Sequence, residues 1–256
     1  MQGNNLIPAD ISPAMALKRL KEGNFRFINN FQDNKDLLRM VNVTRNGQWP
    51  FAAILSCMDS RTSAELIFDQ GLGDIFSVRI AGNVITDDVL GSLEYATAVA
   101  GSKLIVVLGH SNCGAIKGAC DGVELGHLTA LLARVHPAVM MEESVKENRN
   151  SSNNEFVQAV ARLNVRHSAH LILQHSPVIS ALVEKGSTGI VPAMYDVSTG
   201  KVSFLMEDST FVSAQTGVAE NGTGNGTDNS MDREPAGMDA AGGSGLAGLN
   251  GDGRAK

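Results

Sequence analysis

Two short, nearly continuous apolar runs constrain the fold of this chain more than any other feature of its sequence. They are FAAILS at residues 51–56 and KLIVVLG at residues 103–109. Runs of this length without polar alternation are typical of strands that are buried on both faces. A third run, DIFSVRI at 74–80, lies between them. A sheet buried on both faces needs helices on each side, so these runs predict a layered α/β domain.

Helical patterns precede, separate and follow these runs. Ser12 is a typical N-cap residue and Pro13 fits the first helical position, so a helix is predicted to begin there. Apolar spacing predicts further helices at 63–69, 87–100, 127–146 with a break at Pro137, 155–174, and directly after Ser176 and Pro177. A closing strand pair is predicted at 190–196 and 201–206, joined by a turn at 198–200. The alternation predicts a mostly parallel central sheet flanked by helices.

The chain is predicted to divide into a short lead at residues 1–11, one folded domain at 12–210 and a tail at 211–256. Phe211 is the last aromatic residue, and from residue 219 onward glycine is dense and apolar periodicity is absent. Such a stretch buries too little apolar surface to offset its chain entropy. The tail is therefore predicted to be disordered.

Charge and apolar content argue against two classes of partner. The net charge is −6 and no cluster of Lys and Arg is present, so nucleic acid is not an expected partner. No apolar run approaches the ~20 residues of a membrane-spanning helix, and the first residues lack the features of a secretory signal. We therefore expect a cytoplasmic protein without a membrane partner. In a reducing compartment, its three cysteines suit metal binding or chemistry better than disulfides.

Three potential metal ligands follow two of the apolar runs. Cys57 comes directly after one, His110 directly after the other, and Cys113 three residues later. Because ligands in open α/β sheets bind beyond the carboxyl ends of the strands, these side chains are expected at one edge of the sheet. Two thiolates and one imidazole suit zinc, and three protein ligands leave a fourth position open, as in catalytic sites. Gly109 and Gly114 are expected to let the backbone bend around this position.

Each of these residues taken singly has a plainer explanation. A cysteine at the end of a strand is usually a small buried apolar residue, and His-x-x-Cys alone is a weak signal. Their joint appearance after two buried strands favours a metal site. Asp59 and Arg61 follow Cys57 within four residues. An ion pair between them would stabilise the strand–loop junction, and it would also suit a role of Asp59 at the metal position. The two interpretations are compatible.

The two ligand segments carry a family resemblance. CMDSR at 57–61 and HSNC at 110–113 match the Cys-x-Asp-x-Arg and His-x-x-Cys signatures of the β-class carbonic anhydrases. The similarity extends from about residue 14 to residue 206 and includes GNFRF at 23–27, FDQGLGDIFSVRIAGN at 68–83 and GSLEYA at 91–96. The sequence therefore resembles a bacterial member of that family.

The resemblance implies a zinc-dependent lyase that hydrates carbon dioxide reversibly to bicarbonate and a proton, by attack of a zinc-bound hydroxide. In that family the residues matching Cys57, His110 and Cys113 hold one Zn²⁺ per subunit. The residue matching Asp59 accepts a hydrogen bond from the hydroxide, and the one matching Arg61 holds that carboxylate. Residues 12–210 would then be the catalytic domain.

The resemblance also implies a substrate cleft and a partner subunit. Gln48, Phe76 and Tyr95 match family residues that line a narrow cleft at a subunit interface and bind substrate. Gln48 matches the plant-like branch of the family, whereas some bacterial relatives carry an allosteric bicarbonate pocket. The implied assembly is a homodimer or homotetramer in which an N-terminal helical arm reaches across to the partner.

Three other interpretations remain open on the sequence. A relative with the same metal site could hydrolyse carbonyl sulfide or carbon disulfide, because the access route that separates these substrates is not visible in a sequence. A zinc scaffold without turnover is disfavoured, since a structural site has no use for the pair formed by Asp59 and Arg61. A redox protein using Cys57 and Cys113 is disfavoured because no Cys-x-x-Cys is present.

Overall fold

The computed structural model describes residues 11–210 of the 256-residue chain. The helices in chain order are α1 (Pro13–Ile28), α2 (Leu37–Thr44), α3 (Ala64–Ile67), α4 (Asp87–Glu94), α5 (Gly114–Cys120), α6 (Gly126–Ala133), α7 (His136–Met141), α8 (Asn154–His175) and α9 (Pro177–Glu184). The strands are β1 (Ala52–Ser56), β2 (Ile75–Arg79), β3 (Leu104–His110), β4 (Gly189–Tyr195) and β5 (Val202–Phe204). Ala81–Asn83 and Met206–Asp208 are 3₁₀ turns, and Tyr95–Val99 is a π-helical segment.

The five strands form one sheet in the order β2-β1-β3-β4-β5. The first four are mutually parallel, and β5 runs antiparallel to β4. In the register of β1 with β3, Ser56 lies opposite Leu108, so these two strands end side by side at their carboxyl ends. The prediction of a mostly parallel sheet flanked by helices is confirmed, and all five predicted strands are present within a few residues of their predicted bounds.

Successive residues of the central strands face two separate cores. Ala53 and Leu55 of β1 pack in one core with residues of α4, α5 and α8. Ile54 of β1 packs in the other core with residues of α1 and α3. Every residue of β1 and β3 is buried, which explains why both strands lack polar alternation.

The predicted N-terminal helix is confirmed as α1. Ser12 Oγ accepts a hydrogen bond of 3.2 Å from the Met15 N–H, and Pro13 occupies the first turn. Leu17 and Leu20 of this helix are buried against the sheet. The short α2 that follows was not predicted, because eight residues give little periodicity and none of its residues is buried.

Three predicted helices differ from the observed ones in extent. α3 is shorter than the predicted 63–69, and the predicted helix at 87–100 is α4 continued by the π-helical segment. The predicted helix at 127–146 is the pair α6 and α7, and residues 142–146 are not helical. The break precedes Pro137, which lies in the first turn of α7, where its missing N–H has no intrahelical partner to lose.

The predicted lead at 1–11 lies outside the described residues apart from Ile11, and the predicted tail at 211–256 lies outside them entirely. Between residues 11 and 210, none of the helices combines the length and the apolar character needed to cross a membrane.

Candidate metal centre

The predicted ligands meet at the carboxyl edge of the sheet. Cys57 directly follows β1, His110 is the last residue of β3, and Cys113 is the N-cap residue of α5. All three are buried, with exposed fractions of 4%, 1% and 2%. The two Sγ atoms lie 3.9 Å apart, and the donor atoms of the three residues lie within 4.8 Å of one another. The juxtaposition expected from the sequence is therefore present.

The backbone bend between the second and third ligands lies at Asn112. Asn112 has φ 56°, a left-handed conformation that asparagine adopts more readily than most residues. The expectation that Gly109 and Gly114 supply the bend is wrong, because neither has a positive φ. Gly109 is instead required by packing, since a Cβ there would lie 2.5 Å from Cγ1 of Val165. Val165 of α8 thus packs directly against β3 at the residue before the ligand His110.

The His110 ring is held by a hydrogen bond to the backbone of the next residue. Nδ1 lies 2.9 Å from the carbonyl oxygen of Ser111, and because a carbonyl oxygen can only accept a hydrogen bond, Nδ1 carries the proton in this contact. Nε2 therefore keeps a free lone pair, and among the described residues this buried atom has no hydrogen-bond partner. A buried polar atom without a partner costs about 1–3 kcal/mol, a cost that a bound cation removes. Together with two sulfur donors, this atom makes a donor set that fits zinc.

The two sulfurs favour a cation between them. The hydrogen bond between the cysteines lowers the pKa of the Cys57 thiol, and the same contact together with burial raises the pKa of the Cys113 thiol. The pair therefore loses one proton readily, from Cys57, and holds the other, on Cys113, tightly. The amide N–H of Gly82 also donates to Cys57 Sγ at 3.4 Å. A divalent ion would allow both sulfurs to be thiolates.

Asp59 and Arg61 form the bidentate pair expected from their spacing. Arg61 Nε and Nη2 donate to the two carboxylate oxygens of Asp59 at 2.9 and 2.8 Å, and the Arg61 backbone N–H donates to Oδ1 at 3.0 Å. These hydrogen bonds hold the pKa of the Asp59 carboxyl well below its usual range. Asp59 Oδ2 lies 4.0 Å from His110 Nε2. An ionised carboxylate therefore stands beside the ligand cluster.

Two residues that the sequence did not single out hold this loop. Arg79, the last residue of β2, donates to the carbonyl oxygens of Cys57 and Asp59 at 3.2 and 2.6 Å. Thr62 Oγ1 lies 2.9 Å from each of the same two oxygens. A charged residue at the carboxyl end of a strand next to β1 is the signal that could have identified Arg79. The position of Thr62 carries no comparable signal.

Phe76 and Tyr95 pack against each other. Their ring centroids are 6.1 Å apart at an interplanar angle of 70°, and both line a surface depression beside Arg79, Asp87 and Asp88. Tyr95 is 52% exposed. Gln48 is exposed on the segment between α2 and β1. Within residues 11–210, none of these three side chains hydrogen-bonds to the ligand cluster, and their roles toward a substrate stay predictions.

Comparison with known proteins gives one consistent result. Residues 52–202 match a family model described as carbonic anhydrase. The chain is 39% identical over 196 residues to carbonic anhydrase 2 of Mycobacterium tuberculosis, covering 74% of this chain and 91% of the relative. It is 34% identical over 198 residues to the carbonic anhydrase of Mycolicibacterium smegmatis, covering 75% and 92%. Each of these relatives thus aligns with about three quarters of this chain.

Solved structures agree in fold. One of them comes from a study of two tetrameric β-carbonic anhydrases of the fungus Sordaria macrospora. It matches with a TM-score of 0.59 at 24% identity, covering 75% of this chain and 94% of the fungal one. The family match at 52–202 includes both ligand segments described above.

Proposed function

The chain belongs to the β-carbonic anhydrase family, and from that membership we propose that it is a zinc-dependent enzyme for the reversible hydration of carbon dioxide to bicarbonate and a proton. The observation that carries the proposal is the buried cluster of two sulfurs and one unpartnered imidazole nitrogen at the carboxyl edge of the sheet. An unpartnered, buried nitrogen facing two thiols has no evident purpose in a metal-free protein.

Cys57, His110 and Cys113 would hold one zinc ion per subunit. The ion would supply Lewis acidity, which in carbonic anhydrases with three histidine ligands brings the pKa of a bound water to about 7. The burial of the three side chains excludes bulk water from the donor atoms. The hydrogen bond from Nδ1 to the Ser111 carbonyl places the proton of the neutral ring on Nδ1 and so leaves the Nε2 lone pair available for the ion.

Asp59 would orient the reacting water. Its carboxylate is kept ionised by Arg61, so it can only accept hydrogen bonds. An acceptor fixed beside the cluster selects the direction in which the water's proton points, and therefore the direction of its lone pair. Arg61 serves the reaction indirectly, because its two hydrogen bonds determine the position of both Asp59 oxygens.

Gln48, Phe76 and Tyr95 would bind the substrate in an assembled oligomer. Carbon dioxide is apolar and suits the aromatic surface of Phe76 and Tyr95, whereas the Gln48 amide can donate a hydrogen bond to a bicarbonate oxygen. These side chains are exposed or half-exposed in the single chain. A partner subunit that covers them would turn an open depression into a narrow cleft.

Self-association is proposed on a second observation. None of the eight residues of α2 is buried, and its Leu37, Leu38 and Val41 are exposed to 55%, 74% and 48%. A helix with such an apolar surface is stabilised by packing against another surface. A homodimer or homotetramer would supply that surface, and the fungal neighbour is described as tetrameric.

The three unpaired thiols fit a cytoplasmic location.

The test is a stopped-flow carbon dioxide hydration assay on the full chain as purified, after chelation, and after zinc is restored. We expect activity that chelation abolishes and stoichiometric zinc recovers. A protein that binds one zinc per chain without hydrating carbon dioxide would be the scaffold considered above. Turnover of carbonyl sulfide or carbon disulfide without hydration of carbon dioxide would also contradict the proposal.

A further inference from the structure

The turn at Ala81–Asn83 supplies a hydrogen bond to the first sulfur ligand. It follows β2, and its Gly82 N–H donates to Cys57 Sγ at 3.4 Å. Gly82 has φ 69°, in the region that favours glycine, and is buried. Without restraint, a glycine at this position can rotate its N–H away from the sulfur at little cost. The direction of this N–H therefore depends on what holds the turn.

Asn164 of α8 holds this turn through a hydrogen bond. Its Nδ2 donates to the carbonyl oxygen of Gly82 at 2.8 Å, and the residue is 1% exposed. On the other side of the same peptide unit, the Asn83 N–H donates to the carbonyl of Ile80 at 2.9 Å. The peptide unit between Gly82 and Asn83 is thus tied at both ends, which sets the torsion angles of Gly82 and the direction of its own N–H.

The residues around Asn164 on α8 indicate that packing alone does not explain an asparagine at this position. The other buried residues of α8 are almost all apolar: Phe156, Val157, Val160, Ala161, Val165, Ala169 and Ile172. A buried amide among them costs free energy unless it is hydrogen-bonded, so a leucine would be the better residue for packing alone. The exception besides Asn164 is Ser168, one turn further, whose Oγ donates to the carbonyl of Asn83 at 3.2 Å.

We propose that Asn164 is a positioning residue of the metal centre, which acts through the Gly82 carbonyl to aim the Gly82 N–H at Cys57 Sγ. The inference rests on the proposed function, because it assumes that Cys57 binds a metal. An N–H that points at a thiolate withdraws electron density from the sulfur and fixes its position. Ser168 braces the same turn without this effect, since the Asn83 carbonyl lies one peptide beyond the one that orients Gly82.

The test compares Asn164→Leu with Ser168→Ala in the full chain loaded with Co²⁺ or Zn²⁺. The probes are the sulfur-to-cobalt charge-transfer absorption and the zinc dissociation constant from chelator competition. For Asn164→Leu we expect a charge-transfer band at longer wavelength and zinc binding that is weaker by about tenfold or more. For Ser168→Ala we expect both to match the wild type. If Asn164→Leu does not fold, Asn164→Met replaces it, because methionine adapts to irregular space.

The outcomes distinguish a failure of this inference from a failure of the proposed function. If Asn164→Leu keeps the wild-type band and zinc affinity, or if Ser168→Ala changes both to the same extent, Asn164 is only a structural residue and the inference is wrong. If the wild-type chain itself shows no sulfur-to-cobalt band, the metal site in the proposed function is wrong instead.

Discussion

The His110 ring is arranged so that one of its nitrogens can bind the proposed metal. The Nδ1 hydrogen bond to the Ser111 carbonyl determines which nitrogen keeps a lone pair, and burial removes water as a substitute partner. The carboxylate of Asp59 lies 4.0 Å from that free nitrogen. The ring and the carboxylate therefore face the same small space. Because Asp59 is not one of the three proposed ligands, its removal tests the chemistry of the site separately from metal binding.

Replacing Asp59 by alanine is expected to lower kcat/KM for carbon dioxide hydration by about 10–100-fold while the zinc content stays at one per chain. The reason is that, in the proposed function, Asp59 orients the reacting water and is not among the three ligands. The measurements are stopped-flow hydration and metal analysis on the same sample.

Asp121→Ala is the matched control, because Asp121 is a carboxylate whose pKa is also lowered by hydrogen bonding, to Ser151. It should leave both quantities unchanged. Full activity of Asp59→Ala would disprove the orienting role. Loss of zinc from this variant would indicate that Asp59 is itself a ligand.

At the scale of secondary structure, the strands were more predictable than the helices. β1 and β3 are recognisable because burial on both faces leaves an unbroken apolar run. The helical break before Pro137 was placed too late, because a proline is as compatible with the first turn of a new helix as with the end of an old one. The π-helical segment that begins at Tyr95 leaves no mark in the apolar spacing.

Gly109 of β3 packs directly against Val165 of α8, which leaves no room for a larger side chain. Gly109→Ala is therefore expected to destabilise the fold by about 1–3 kcal/mol. The added Cβ would lie 2.5 Å from Val165 Cγ1 and 2.9 Å from Met194 Sδ. Gly114→Ala, with no atom within 4 Å of the added Cβ at the start of α5, should be neutral or slightly stabilising. Denaturant midpoints at equal protein concentration measure both, and equal midpoints for the two variants would refute the packing argument.

Asp69 connects α1 to the segment before α2. Its side chain is 4% exposed, accepts from Arg26 Nε at 2.5 Å and pairs with Lys35. Burial opposes ionisation of Asp69, but the hydrogen bonds from Lys35 and Arg26 outweigh it and lower the pKa of this carboxyl. The folded pKa thus lies below the unfolded value of about 3.9, so this contribution to stability is present above that pH and is lost as the pH falls through the folded pKa.

Asp69→Asn is therefore expected to be about 1–3 kcal/mol less stable than the wild type at pH 7, and the difference should shrink below about pH 4. Unfolding curves at several pH values measure this. Asp33→Asn serves as control, because Asp33 is 70% exposed and lies 3.6 Å from Arg26, so it should change stability little. A difference that is constant between pH 7 and pH 3 would contradict the assignment.

At the scale of the whole molecule, the sequence identified the cluster of potential metal ligands and the ion pair of Asp59 and Arg61, but not the arrangement of the predicted substrate cleft. The family resemblance is confirmed, and the ligands were found because two strand ends and a three-residue spacing bring them together. Gln48, Phe76 and Tyr95 remain predictions, because a cleft at a subunit interface depends on surfaces that one chain does not bring together. Arg79 was missed because it hydrogen-bonds to backbone carbonyls and belongs to no side-chain motif, so its position at the end of β2 was the only signal.

The most direct test of the central claim is zinc K-edge X-ray absorption on the purified full chain, with the metal content measured on the same sample. We expect one zinc per chain, with two sulfur neighbours, one imidazole nitrogen and one further light donor. A protein without stoichiometric zinc, or a zinc shell with no sulfur or with a permanent third sulfur, would contradict it.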